Sequence, residues 1–365
     1  MRILTHRGHV RKARLALCAA TVNHCDMTLY CGVDGGGTRT RALLVDERGA
    51  FLGYGASGAS NPKAVGLDGS ARSVCEALQR AFREYTGKDE DIQLFLGLAG
   101  VRTGADRTAV MTAFSEPLDA VGLGGTRVAI GHDLDVAHAA ALGGEPGVVL
   151  VAGTGSAALG RDATGRTRQA GGWGWYIDDP GSGYWLGYQA MRAAARSCDG
   201  RGPMTVLEEK VRAFLRIPSL HEMPNIIYNP HFSRERVAEL APIIFEAAEG
   251  GDVCAEAILR EGFRELALMV ATVSRVLDLE RPLVSAVGGI THRGVGFDTR
   301  FAEALNEQIP FARITHSRAT PVVGSVILAM NEDGRRMNAA CMDALQEAAA
   351  KAAALPPKID VPGSA

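Results

Sequence analysis

The chain has 365 residues, a hydrophobic fraction of 47% and a formal net charge of −2. That length holds two ordinary globular domains with cores of their own, and the near-neutral charge gives no electrostatic reason to expect nucleic acid or an anionic membrane as partner. The seven cysteines include no C-x-x-C pair and no His/Cys finger spacing, so they read as reduced, buried thiols of a cytoplasmic protein, and no apolar stretch approaches the roughly 20 residues that span a bilayer.

In chain order, residues 1–27 form an extension that is basic (Arg2, Arg7, Arg11, Lys12, Arg14) and then briefly apolar. With no convincing small-residue cleavage site, and with Met27 just before the first strong strand, it reads as a disordered or mis-started segment. Leu29–Asp34 is an apolar strand, followed by a Gly-rich turn, a second strand over Arg41–Val45, the polar turn Asp46–Gly49 and a third strand. Ser70–Tyr85 places Val74, Leu78, Ala81, Phe82 and Tyr85 on one helical face, and Ile92–Leu98 and Arg127–His132 are short apolar strands. Gly147–Ala152 opens a second Gly-Thr hairpin. Cys254–Leu277 is a long amphipathic helix with Ile258, Phe263, Leu266, Val270, Val273 and Leu277 inward. Leu283–Val287 is a buried strand ending in Gly288-Gly289, and from about Asn338 an Ala-rich helix and tail form a peripheral appendage.

The two hairpins align without gaps. Gly37, Thr38, Ala42, Leu43, Asp46, Gly49, Gly55 and Gly58 match Gly153, Thr154, Ala158, Leu159, Asp162, Gly165, Gly171 and Gly174 at an offset of 116 residues (153 − 37). Three antiparallel strands and then alternating β and α, twice over, predict two duplicated α/β domains, residues 28–143 and 144–322, with a ligand cleft between them. A helix over 323–337 is expected to pack back on the first domain, and 338–365 is the appendage.

The first turn reads Gly32-Val33-Asp34-Gly35-Gly36-Gly37-Thr38-Arg39-Thr40 and the second Ala152-Gly153-Thr154-Gly155-Ser156. Glycines let main-chain N–H groups approach an anion, Thr hydroxyls add donors, and Asp34 at a strand end is a hard oxygen ligand suited to Mg²⁺. Two such loops at matched positions suit a polyphosphate gripped from both sides. There is no G-x-x-x-x-G-K-[ST] loop, and a strand rather than a helix follows the glycines, so neither a P-loop nor a Rossmann site fits.

Val33–Thr38 and Ala152–Ser156 resemble the two phosphate loops of the actin, hexokinase and heat-shock-chaperone superfamily, whose domains are ribonuclease H-like. Gly171-Gly172-Trp173-Gly174 and Pro180-Gly181-Ser182-Gly183 are similar to the N-acetylglucosamine kinases, which share a family with the ATPase activators of benzoyl-CoA reductase and hydroxyacyl-CoA dehydratases. The likeness covers roughly residues 29–330. It implies ATP held by Gly36, Gly37, Thr38, Arg39, Gly153, Thr154, Gly155 and Ser156, with Gly288 and Gly289 on the adenosine side and Asp34 on Mg²⁺. The substrate implied is an amino sugar and the reaction phosphorylation of its 6-hydroxyl. Asp133 stands at the family's catalytic position as general base, with Asp135 as rival, and by the bland reading it only caps a helix. Asn61, Gly172, Trp173, Gly174 and Asp179, together with Asp133, are the implied sugar contacts, although Trp173 reads equally as a core aromatic. If the strand persists, His132 points away from Asp133, and no transition-metal site is expected there.

Where many relatives carry Gly-Asp-Glu-Gly-Ser, this chain has Asp178-Asp179-Pro180-Gly181-Ser182, and Gly131-His132-Asp133 lacks the usual Thr before Asp. The extra Asp178 keeps glucosamine, with its ammonium group, open as an alternative to N-acetylglucosamine. A second alternative is an ATPase activator of a CoA-ester reductase or dehydratase, which needs closely placed cysteines for an iron–sulfur cluster. A third is a non-catalytic sugar sensor, against which stand the absence of a helix-turn-helix module and the presence of Asp34, both Thr turns and Asp133. Dimerisation is an expectation of the resemblance alone.

Overall fold

The computed structural model describes residues 28–87, 91–229, 231–293 and 295–355. The expected extension over residues 1–27 lies outside them. Strands β1 (Thr28–Gly35), β2 (Thr40–Val45), β3 (Phe51–Ser57), β4 (Asp91–Leu98) and β5 (Arg127–His132) form one five-stranded sheet in the order β3-β2-β1-β4-β5. Strands β6 (Gly147–Ala152), β7 (Ser156–Arg161), β8 (Thr167–Gly171), β9 (Leu283–Val287) and β10 (Arg313–Thr315) form another, in the order β10-β9-β6-β7-β8. In each, the first three strands are an antiparallel meander and the last two run parallel to the first. The two halves thus share one topology, as the repeat predicts.

Helices cover both faces of the sheets, which is why the parallel strands are near-continuous apolar runs rather than alternating ones. On one face of the first sheet, α1 (Pro62–Phe82) and α2 (Gly104–Ala120) bury Val74, Leu78 and Phe114 with Leu29, Leu94 and Leu96. The chain then passes through α3 (Asp133–Leu142) into the second half. There α4 (Gly183–Cys198), α5 (Leu207–Leu215), α6 (Met223–Ile227), α7 (Arg234–Ala238), α8 (Ala241–Glu249) and α9 (Val253–Val276) intervene between β8 and β9. Phe263, Leu266, Val270 and Val273 of α9 line the largest core. α10 (Val295–Gln308) joins β9 to β10, and α11 (Pro321–Glu332) returns to the first sheet, where Val322, Val323 and Val326 meet Tyr30, Leu43 and Phe95. α3 lies in the seam: its Val136 and Ala139 belong to the α11 core, whereas Leu134 and Leu142 pack with Val149 and Leu159 of the second sheet.

Three expectations are corrected. α1 starts at Pro62, eight residues before Ser70, because Asn61 caps it and Gly66 (φ 73) lets the chain kink; its first turns face solvent, so no apolar period announces them. α12 (Ala339–Ala354) is not a mere appendage, since Leu345, Ala348 and Ala352 are buried against the first sheet's core; small alanine side chains give only a faint periodic signal. Of the five described cysteines, all free, Cys31 and Cys75 are buried but Cys198, Cys254 and Cys341 are only half-buried. No helix among the described residues is long and apolar enough to cross a membrane.

Candidate active site

The parallel register aligns Gly35 with Leu98 and Leu98 with His132, so Asp34, the Ala99-Gly100 turn and Asp133 lie along one carboxyl edge of the first sheet. This is the edge at which α/β sheets place ligands. The first Gly-rich turn is closed by a hydrogen bond from the Gly36 amide to the Arg39 carbonyl, 2.9 Å, and Gly37, Thr38 and Arg39 are exposed. The Ser60 and Asn61 amides both donate to the Gly36 carbonyl, which fastens the turn to the start of α1. Asn61 Oδ1 accepts from the Lys63 amide as the helix cap, and its Nδ2 keeps both protons for another acceptor.

Asp34 is largely withdrawn from water, and burial raises its pKa above the ordinary carboxylate range; Arg41, at 3.4 Å, pulls it back down, and the charge of Asp133 pushes it up again. Two carboxylates that sense each other at a strand edge suit a divalent cation and a proton acceptor side by side. Asp133 is the first residue of α3, and its side chain keeps 47% of its exposure. It is not the cap: His132 Nδ1 accepts from the Leu134 amide, and Asp135 Oδ2 accepts from the His132 amide. The cap absorbs Asp135, the rival base, which also lies 3.9 Å from Arg161. His132 does not point away from Asp133, because β5 ends at His132 and the helix turn brings its Nδ1 to 2.8 Å from Asp133 Oδ1. Since Nδ1 already accepts an amide hydrogen, a neutral imidazole has no proton to offer there, and Asp133 Oδ1 is buried with no hydrogen-bond donor among the described residues.

In the second half, the corresponding turn is closed by the Gly153 amide donating to the Gly155 carbonyl. The first amides of α4, Gly183 and Tyr184, donate to the Gly153 and Thr154 carbonyls, so the helix start abuts the turn. Gly288 has φ 116, and a Cβ there would stand 2.4 Å from the Ala152 carbonyl oxygen. Only glycine lets the end of β9 pass this close to the turn.

Asp179 is 6% exposed with φ 63 and sits directly behind Gly155, where a Cβ would lie 2.6 Å from its Oδ2. Burial raises its pKa, opposed by hydrogen bonds from the Gly174 and Ser156 amides. Its Oδ1 is buried without a partner among the described residues. Gly172 donates to the Ser156 carbonyl, which ties the Gly172-Trp173-Gly174 loop to the second Gly-Thr turn. Trp173 is 71% exposed, so it is not a core aromatic.

The structure also adds Arg102, a residue with no part in the sequence reading. It follows the β4 turn on the first sheet, yet a Cβ on Gly172 of the second would meet its Nη2 at 3.1 Å. The signal that could have found it is position: the carboxyl end of β4 lies between the strand ends that supply Asp34 and Asp133.

The BadF/BadG/BcrA/BcrD ATPase family model matches residues 31–329. The chain is 30% identical to an N-acetylmuramic acid/N-acetylglucosamine kinase of Clostridium acetobutylicum, over 84% of this chain and 99% of the relative. It is 30% identical to an N-acetyl-D-glucosamine kinase of Dictyostelium discoideum, over 83% and 98% respectively. A Chromobacterium violaceum structure designated an N-acetylglucosamine kinase superposes with a TM-score of 0.63 at 26% identity, over 83% of this chain and 99% of that one.

Proposed function

From the premise that the chain belongs to the BadF/BadG/BcrA/BcrD ATPase family, we propose that it is an ATP-dependent amino-sugar kinase acting on the 6-hydroxyl of N-acetylglucosamine. The observation that carries this reading is Asp133: a strand-edge carboxylate beside Asp34, with one oxygen buried and no donor to it among the described residues.

In this reading Asp133 accepts the proton of the sugar hydroxyl as its oxygen bonds to the γ-phosphorus of ATP, and the bond from that phosphorus to the β–γ bridging oxygen breaks to release ADP. The amides of Gly37 and Gly155, the hydroxyls of Thr38 and Thr154 and the Arg39 guanidinium hold the phosphates, while the Gly36, Gly153 and Ser156 amides shape the two turns through their own hydrogen bonds and Gly288 and Gly289 lie beneath the adenosine. Asp34 fits Mg²⁺, since a single buried carboxylate plus phosphate oxygens and waters is the usual donor set. When bound, Mg²⁺ neutralises charge on the transferred group. Asn61 Nδ2 and the unpartnered Asp179 Oδ1 offer the sugar one donor and one acceptor site, and Trp173 a flat apolar face. Glucosamine is the second substrate to be weighed, because Asp178 places a further negative charge next to Asp179. The proposal includes the cytoplasm, where ATP is abundant, as the compartment.

ADP release with N-acetylglucosamine, glucosamine and glucose, each with ATP and Mg²⁺, tests the reading; no stimulation by any of them would refute it. Asp133→Asn is expected to lower kcat about 10²- to 10⁴-fold while sugar still binds, as loss of a general base does. A variant with near wild-type kcat would send the search for the base elsewhere.

A further inference from the structure

Away from the sheet edges, a cavity of about 180 Å³ lies between the second half of α4 and the first turns of α9. That is several times what one water needs. Gln189, Arg192 and Arg196 line it from α4, and their spacing of three and then four residues puts all three on one helical face. Pro203 and Ile258 are among its apolar residues. The loop over 199–206 that borders it is fastened at both ends. The Gly202 amide donates to the Arg196 carbonyl, 2.8 Å, and Arg196 Nη2 donates to the Arg201 carbonyl, 3.0 Å. The Thr205 hydroxyl and the Val206 amide each donate to Asp252 Oδ2 at 2.8 Å, at the cap of α9. The cavity stands apart from the second Gly-Thr turn: α4 meets that turn through its Gly183 and Tyr184 amides, and Arg192 and Arg196 follow about 14 and 20 Å further along the helix.

Two guanidiniums one turn apart repel each other, and such a pair weakens a helix unless something neutralises it. The helix dipole accounts for Arg196, which lies in the last turn, but Arg192 precedes that turn. The carboxylates of the bordering segments are engaged elsewhere. Asp199 is within electrostatic reach of Arg196, yet Arg201 holds it at 2.8 and 2.6 Å. Glu208 accepts from the Ser197 hydroxyl at 3.0 Å, Asp252 caps α9, and Glu256 pairs with Arg300 at 2.6 Å. Among the described residues Arg192 makes no hydrogen bond or ion pair, and Arg196 makes only its bond to the Arg201 carbonyl.

We propose that this cavity binds a small phosphate monoester. Guanidiniums meet phosphate oxygens through directional, charge-assisted hydrogen bonds. A monoester carries close to two negative charges at neutral pH, which matches two arginines, whereas a carboxylate or a sulfate ester would match one. Gln189 adds an amide donor, and Pro203 and Ile258 suit a short carbon body. The site is independent of the kinase reading and uses none of its residues.

The test is isothermal titration calorimetry on the full chain, with Mg²⁺ and a saturating non-hydrolysable ATP analogue present, using ethyl phosphate and ethyl sulfate as probes. Ethyl phosphate is expected to bind once per chain and more tightly than ethyl sulfate. Arg192→Gln and Arg196→Gln should each weaken it at least about tenfold, the size expected for removing a charge-assisted hydrogen bond, and Arg192→Lys should recover part of the loss. Both arginines reach solvent, so the variants should melt near the wild-type temperature, which separates lost binding from lost fold. A wild type that binds no ethyl phosphate overturns the proposal, as does an affinity that both Gln variants retain. Equal affinity for ethyl sulfate would remove the charge argument and overturn it too. So would binding seen only without the ATP analogue, which would put the ester in the nucleotide cleft. None of these results touches the kinase reading, which stands or falls on ADP release.

Discussion

Asp34 sets chemistry against stability within one side chain. Burial raises its pKa, so the folded protein holds a proton there at pH values where the unfolded chain has lost it. Stability tied to this group is present below the ordinary carboxylate range and is lost as pH rises through the raised folded value; at pH 7 the fold bears a buried charge. Asp34→Asn is therefore expected to raise the melting temperature at pH 7, by an amount that shrinks toward pH 4, while kinase turnover falls. Thermal melts at both pH values check this, and an unchanged or lower Tm at pH 7 would mean that Arg41 outweighs burial. At this scale the sequence was legible where a residue's meaning is its place on a strand. Asp34 and Asp133 follow from apolar runs that end in an acid. His132 and Arg102 do not, because their meaning comes from neighbours reached by a helix turn or across the cleft.

α3 is the element on which the two halves depend, since its faces enter both cores. Within it His138 is buried, its Nε2 lies 3.2 Å from the Gly147 carbonyl, and burial lowers its pKa to about 4, with Arg161 lowering it and Asp135 raising it as lesser influences. A lowered histidine pKa gives stability that is complete above the unfolded value near 6.5 and is lost as pH falls through the window toward 4. At pH 5 the loss amounts to about 2 kcal/mol, at roughly 1.4 kcal/mol per pH unit. His138→Gln, whose amide can still donate to Gly147, is expected to flatten the fall in Tm between pH 6.5 and pH 5. Parallel acid melts of both proteins decide it, and identical slopes would remove His138 as the cause. The sequence shows a helix after Asp133, but its alanines give no period from which to read that two cores claim it.

For the whole molecule, phosphoryl transfer to a sugar rather than to water requires the cleft to exclude solvent once both substrates are bound. Small-angle scattering is expected to show a smaller radius of gyration with N-acetylglucosamine and a non-hydrolysable ATP analogue together than with neither. An unchanged radius would contradict closure. Two of the contacts that cross between halves, Arg161 with Asp135 and Arg102 over Gly172, are ones such a movement would rearrange.

The sequence by itself determined the duplicated α/β architecture, because each Gly-Thr hairpin is a local event written in strand period and turn glycines, and two copies in one register specify two sheets of one topology. It also placed an acid, Asp34 or Asp133, at or just past the end of two of those strands. Only the tertiary structure decided how α3 and α11 serve the cores of the seam, that Asp179 lies buried behind Gly155 of the second Gly-Thr turn, and that the Arg102 guanidinium stands beside Gly172. These depend on segments far apart in the chain, and periodicity carries no information about which of them will meet.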